Sequence, residues 1–228
     1  MQQATTQLET VEHETGASPR WCVLWLHGLG ADGHDFAPIV PELVARDWPA
    51  LRFVFPHAPV RPVTINNGMR MRAWYDIAGM DFATRADSAG MAESIAQVEA
   101  LIEREAERGI PAERLLLAGF SQGGAITLAA GLRRERPLAG LIGLSTYLPG
   151  ADRLADFATE ASKRRPVFMA HGSGDPVIPI VHSENGARAL QHAGYDLEWH
   201  RYPMAHQVCA EEIADLREWM GRRFRDEG

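Results

Sequence analysis

Leu115-Leu116-Leu117-Ala118-Gly119-Phe120-Ser121-Gln122-Gly123-Gly124-Ala125, followed by Ile126-Thr127-Leu128-Ala129-Ala130, is the stretch on which the reading of this sequence turns. Three leucines and an alanine make a short buried strand, and the apolar run after it makes a buried helix. Between them lies Gly119-x-Ser121-x-Gly123, a serine at a sharp strand-to-helix turn. Such a turn pushes the hydroxyl out at the carboxyl edge of a sheet, above the positive end of the helix dipole. The backbone there is strained, and a Cβ at either flanking position would strike the neighbouring elements, hence the glycines. An ordinary glycine-rich turn shares the bare pattern. A base and an acid elsewhere in the chain are needed to tell the two apart.

Working outward, strands alternate with helices. Before the elbow, Trp21 to Leu26 is a continuous apolar run of the kind buried on both faces of a parallel sheet. It ends in the glycine-rich turn His27-Gly28-Leu29-Gly30-Ala31-Asp32-Gly33, and a helix is expected through Phe36, Ile39, Val40, Leu43 and Val44. A dinucleotide role for Gly28-x-Gly30-x-x-Gly33 is set aside, because the next strand, Leu51 to Phe55, ends in Pro56-His57 rather than an acid. A long connection, 56–86, precedes a helix capped at Asp87 or Ser88, with Met91, Ile95, Val98 and Ile102 on its buried face. Glu93, Glu99, Glu103, Glu105 and Glu107 are expected to form a solvated surface. After the elbow come a strand at Leu138–Leu144, a helix over about 152–162, a strand at Pro166–Ala170, a helix over about 181–193, a strand at Asp196–Tyr202, and a last helix through Ile213, Leu216, Trp219 and Met220. That order predicts an α/β fold: a mostly parallel central sheet with helices on both faces. Residues 1–20 are expected to be a tail or, around Leu8 to Val11, a weak edge strand, with 21–228 one domain.

Size and charge narrow the function. A chain of 228 residues with 46% hydrophobic content buries a sizeable core, and a net charge of −7 argues against nucleic acid as a general partner. Met1 to Gly16 is polar and acidic, unlike a secretory signal, and no apolar run approaches membrane-spanning length, so no stable membrane insertion is expected. Two cysteines, Cys22 and Cys209, make neither a disulfide framework nor a zinc pattern, so the expected compartment is the cytoplasm. No metal and no organic cofactor are expected.

Ligands of such sheets gather at the carboxyl ends of the strands. Ser121 follows one strand, Asp175 a later one and His206 a later one still, in the order of the α/β-hydrolase fold. A serine hydroxyl is too weak an acid to attack at neutral pH. An imidazole must take its proton, and a carboxylate must hold that imidazole in the right tautomer. His171 is the rival base, but it directly follows its strand and suits a turn-shaping role; Asp196 is the rival acid, at the wrong end of its strand. Two amides are needed for the developing oxyanion: Gln122, after the nucleophile, and Leu29, in the turn after the first long strand.

Leu26–Asp32, Gly119–Gly124, His171–Pro179 and Met204-Ala205-His206 resemble, in register, the four signature blocks of the phospholipase/carboxylesterase family, small α/β-hydrolases without a separate cap domain that include bacterial carboxylesterases and acyl-protein thioesterases. The resemblance runs from about Trp21 to the C-terminus. It implies nucleophile, acid and base at Ser121, Asp175 and His206, and oxyanion donors at Leu29 and Gln122. Met71-Arg72-Ala73-Trp74-Tyr75-Asp76 resembles the family's loop beside the acyl pocket, with Arg72-Ala73 where many members have Pro-Ser.

A site with no cap suits bulky acyl groups. The expected partner is a small-molecule or lipid acyl ester, or an acylated protein, cleaved by a carboxylesterase or, alternatively, by an acyl-protein thioesterase, a lysophospholipase or a non-catalytic relative of the same fold. Met71, Trp74, Tyr75, Leu148, Val177 and Ile178 are the candidate wall of the acyl site. The apolar residues of 60–86 are either that wall or a satellite core anchored by Trp74. Arg61, Arg70, Arg72 and Arg85 favour an anionic group, or are simply solvated. Monomer and homodimer remain equal readings.

Overall fold

The computed structural model describes residues 7–79 and 87–225. In chain order it contains β1 (Thr10–Glu14), β2 (Trp21–Leu26), α1 (Val40–Leu43), β3 (Leu51–Pro56), β4 (Val60–Val63), β5 (Met69–Arg72), α2 (Ser88–Glu107), β6 (Leu115–Phe120), α3 (Gln122–Gly131), β7 (Gly140–Leu144), β8 (Val167–Gly172), α4 (Ile180–His192), β9 (Leu197–Tyr202) and α5 (Ala210–Arg225). Seven strands form one sheet in the order β1-β3-β2-β6-β7-β8-β9, and β4 with β5 makes a separate hairpin. Only β1 runs antiparallel within the large sheet.

Side-chain alternation divides the core in two. Cys22, Leu24 and Leu26 of β2 point to one face with Leu115 and Leu117 of β6, where Val98, Leu101 and Ile102 of α2, Ile126 and Leu128 of α3 and Leu190 of α4 cover them. Trp21, Val23 and Trp25 point to the other, with Val40 and Leu43 of α1 and Leu216, Trp219 and Met220 of α5. Burial on both faces explains why these strands read as unbroken apolar runs. The register sets Leu26 beside Gly119, Phe120 beside Leu144 and Gly172 beside Tyr202, so the turns after β2, β6, β8 and β9 emerge along one edge.

Several expectations change. Of the two readings of the chain's start, the edge strand holds, but as β1 it lies later than Leu8 to Val11, pairing from Thr10 with Pro56 to Glu14 with Arg52. Glu105 is not a solvated glutamate. It is fully buried, and its carboxylate meets Arg52 at 2.9 Å, Arg104 at 3.0 Å and Arg108 at 2.7 Å. Arg52 also bonds Glu14, and Arg104 and Arg108 reach Glu12, so this cluster ties α2 to the edge strand β1 and its neighbour β3. The expected helix at 36–44 shrinks to a 3-10 turn, Ala37–Ile39, and the single turn α1, because Pro38 and Pro41 remove two amide donors. The helix expected over 152–162 is instead two 3-10 turns, Ala151–Asp156 and Ser162–Arg164. Local competition explains this: the Thr159 amide donates out of the segment to the Leu132 carbonyl, and the Thr159 hydroxyl takes the Ser162 amide.

The connection at 56–86 holds the β4–β5 hairpin and then dives inward: Ala73, Trp74 and Tyr75 are fully buried while Ile65 and Met69 stay exposed. The satellite-core reading therefore holds for Trp74 and Tyr75. Met80, Phe82 and Arg85 lie outside the described residues.

Candidate active site

Ser121 stands just before α3, at its N-cap, with φ 55° and ψ −120°. That conformation costs an L-residue about 1–3 kcal/mol and persists only where the surroundings impose it. They do so here. The Ser121 amide donates to the Leu144 carbonyl at 2.9 Å, and the Ser121 carbonyl accepts from the Thr146 hydroxyl at 2.7 Å and the Ala125 amide at 3.1 Å. A Cβ on Gly123 would sit 2.4 Å from the Leu26 carbonyl oxygen, and one on Gly119 would sit 2.4 Å from the Gly123 carbonyl. The elbow therefore requires glycine at both positions for space.

Three side chains from three turns meet above this elbow. Ser121 Oγ lies 2.9 Å from His206 Nε2, and His206 Nδ1 lies 2.6 Å from Asp175 Oδ2. The carboxylate only accepts, so Nδ1 carries the imidazole hydrogen and Nε2 faces the serine hydroxyl bare. The other carboxylate oxygen, Asp175 Oδ1, takes the Val177 amide at 2.8 Å and the Ile178 amide at 2.9 Å. The aspartate thus shapes its own turn and orients the histidine with separate oxygens. His206 packs on the Phe120 ring, with centroids 4.9 Å apart. The rival His171 lies behind Asp175: its Nε2 donates to the Ile178 carbonyl at 2.9 Å, and burial pushes its pKa down.

Leu29 and Gln122 flank the same edge. Among the described residues, no acceptor takes the backbone N–H of either. The Gln122 side chain does separate work: its Oε1 accepts the Trp74 amide at 2.8 Å and its Nε2 donates to the Tyr75 carbonyl at 2.8 Å. Nothing in a glutamine after a serine announces such a clamp, because its partners lie far away in sequence.

The six wall candidates separate by burial. Trp74, Tyr75, Leu148 and Ile178 are buried, Met71 is half-buried beside Gly30, and Val177 is 48% exposed. Tyr75 and Tyr147 share a hydroxyl hydrogen bond of 2.6 Å beneath the loop. Leu148 lines a cavity of about 420 Å³ along α4, with Tyr147, Ala151, His182, Arg188 and His192. Arg61 pairs with Glu93, and Arg70 and Arg72 donate to the Val60 and Ala58 carbonyls. Among the described residues no group of His, Cys, Asp and Glu gathers as a metal site, and no helix is long and apolar enough to cross a membrane.

The Phospholipase/Carboxylesterase family profile matches residues 8–222. The chain belongs to that family. Acyl-protein thioesterase 1 of Cryptococcus neoformans is 37% identical over 215 residues, covering 87% of this chain and 90% of the relative. A probable carboxylesterase of Oryza sativa subsp. japonica is 34% identical over 207 residues, covering 90% of this chain and 78% of the relative. The crystal structure of Arabidopsis thaliana SOBER1 superposes with a TM-score of 0.83 at 32% identity, covering 90% of this chain and all of that one. This family member therefore has the α/β-hydrolase fold and is a hydrolase of the esterase and thioesterase class.

Proposed function

We propose that this protein hydrolyses carboxylic esters through an acyl-enzyme on Ser121, with His206 as general base, Asp175 as its orienting acid, and the Leu29 and Gln122 amides as the oxyanion hole. The observation that carries the reading is the unbroken chain from Ser121 Oγ to His206 Nε2 and from His206 Nδ1 to Asp175. His206 removes the hydroxyl proton as Ser121 attacks the acyl carbon. The tetrahedral oxygen takes the two amides, His206 returns the proton to the leaving group, and water repeats the cycle to free the acid.

The substrate is an acyl ester of a small molecule or lipid. Residues 145–166, between β7 and β8, hold two 3-10 turns rather than a cap, which supports access by bulky groups. The relatives named acyl-protein thioesterase support a second reading, thioester cleavage on acylated protein. The free thiols Cys22 and Cys209 support a cytoplasmic setting. Replacing Ser121 with Ala tests the chemistry: turnover of aryl esters and labelling by a fluorophosphonate vanish while the protein stays folded. Retained turnover would end the assignment. Matched ester and thioester substrates of increasing chain length decide between the two substrate readings.

A further inference from the structure

Leu29 donates from a peptide whose carbonyl belongs to Gly28. In a trans peptide the N–H and C=O point in opposite directions, so whatever grips the Gly28 carbonyl decides where the Leu29 N–H aims. His27 grips it. Its Nδ1 lies 2.7 Å from the Gly28 oxygen, and its Nε2 lies 3.0 Å from the Ala58 amide. A carbonyl only accepts and a backbone amide only donates, so Nδ1 carries the hydrogen and Nε2 is bare. Both ring nitrogens are used and the imidazole is neutral. Protonation would turn an Nε2–H against the Ala58 N–H, and burial already pushes the His27 pKa down to about 4.

The same ring is fixed from its other side. The Trp74 indole N–H donates to the His27 carbonyl at 2.9 Å, with ring centroids 5.4 Å apart, and the Trp74 amide is held by the Gln122 side chain. The residue that supplies one oxyanion amide is therefore connected, through Trp74, to the residue that orients the other. Farther along the turn, the Gly30 amide donates to the Arg72 carbonyl at 2.9 Å and the Gly33 amide to His57 Nδ1 at 3.1 Å. Gly28 is next to the nucleophile: a Cβ there would sit 3.4 Å from Ser121 Cβ.

We propose that His27 is a positioning residue for the oxyanion hole, a neutral imidazole that turns the Gly28–Leu29 peptide so that its N–H faces the tetrahedral oxygen on Ser121. The inference rests on the Ser121 reading given above. A histidine that merely filled a buried space would affect stability alone.

Two conservative variants separate these roles. His27→Asn keeps a side-chain N–H at the place of Nδ1 and gives up the bond to Ala58. His27→Gln reaches the Ala58 amide and gives up the donor to Gly28. Each is assayed for kcat and KM on a short aryl ester per fluorophosphonate-titrated site, for affinity toward an aryl boronic acid, and for its urea midpoint. A boronate bound to Ser121 places an oxygen in the oxyanion hole. Losing an oxyanion donor outright costs about 10²–10³ in kcat, so a mis-aimed one is expected to cost about tenfold or more. In His27→Gln, kcat falls by that factor with KM within about threefold, and boronate affinity falls in parallel; in His27→Asn both stay near the wild type, whatever the two urea midpoints. Equal kcat and equal boronate affinity in the two variants would overturn the inference while leaving Ser121 in place. Wild-type turnover that survives Ser121→Ala would overturn both.

Discussion

Glu212 is the residue on which a pH titration bears most directly. It lies in the first turn of α5, shortly after the His206 loop, and is fully buried. Neither carboxyl oxygen has a hydrogen-bond partner among the described residues, although the Cys209 amide pulls weakly toward it. Burial raises its pKa from 4.5 to about 8. The folded protein therefore holds this proton where the unfolded chain has released it. The contribution is fully present below the unfolded value of 4.5 and is lost as pH climbs to about 8, where the loss levels off. At about 1.4 kcal/mol per pH unit, the rise from 4.5 to about 8 makes that loss about 5 kcal/mol. Glu212→Gln keeps the shape and removes the titration. Urea unfolding of both proteins from about pH 5 to pH 9 is the assay, and the difference between them cancels every other titrating group. Wild type is expected to lose ground steadily against the variant as pH rises through that window. Parallel curves would refute the reasoning, as would a wild type that gains with pH.

Asp175→Asn keeps an oxygen for the Val177 and Ile178 amides but presents an NH₂ to His206 Nδ1, imposing the wrong tautomer. A fall in kcat of about 10⁴ with an unchanged unfolding midpoint is expected on an aryl ester, and a fall below tenfold would count against the orienting role. Glu105→Ala removes the fully buried carboxylate between Arg52, Arg104 and Arg108. A loss of about 3 kcal/mol in urea unfolding is expected because three crowded guanidiniums keep only Glu12 and Glu14 as partners, and a change below about 1 kcal/mol would show that solvent reaches the cluster.

Local patterns were enough for the scaffold. Continuous apolar runs at Trp21–Leu26 and Leu115–Ala118 announced doubly buried strands, and the helical spacing of Met91, Val98 and Ile102 announced α2. That same spacing continues to Glu105, seven residues beyond Val98, so its burial was in principle visible. Its acidic character hid it, because a charge is buried only when partners arrive from elsewhere, here from β3 and its own helix. The helices expected at 36–44 and 152–162 failed for the opposite reason. Their apolar residues are spaced acceptably, but prolines in one and hydroxyl competition in the other divert the backbone hydrogen bonds.

What the sequence determined by itself was the parallel scaffold, the glycine-flanked elbow and the order of the serine, aspartate and histidine, because each is written within a few neighbouring residues. Only the tertiary structure decided that Ser121, His206 and Asp175 meet at bonding distance, and that Trp74 and Tyr75 close the core instead of standing free. The same holds for His27, which ends a strand like many histidines yet grips its own following carbonyl and the Ala58 amide. Spacing along a chain fixes which face a residue takes, but a hydrogen bond between distant residues depends on register and loop path. Those are set by the packing of the whole domain.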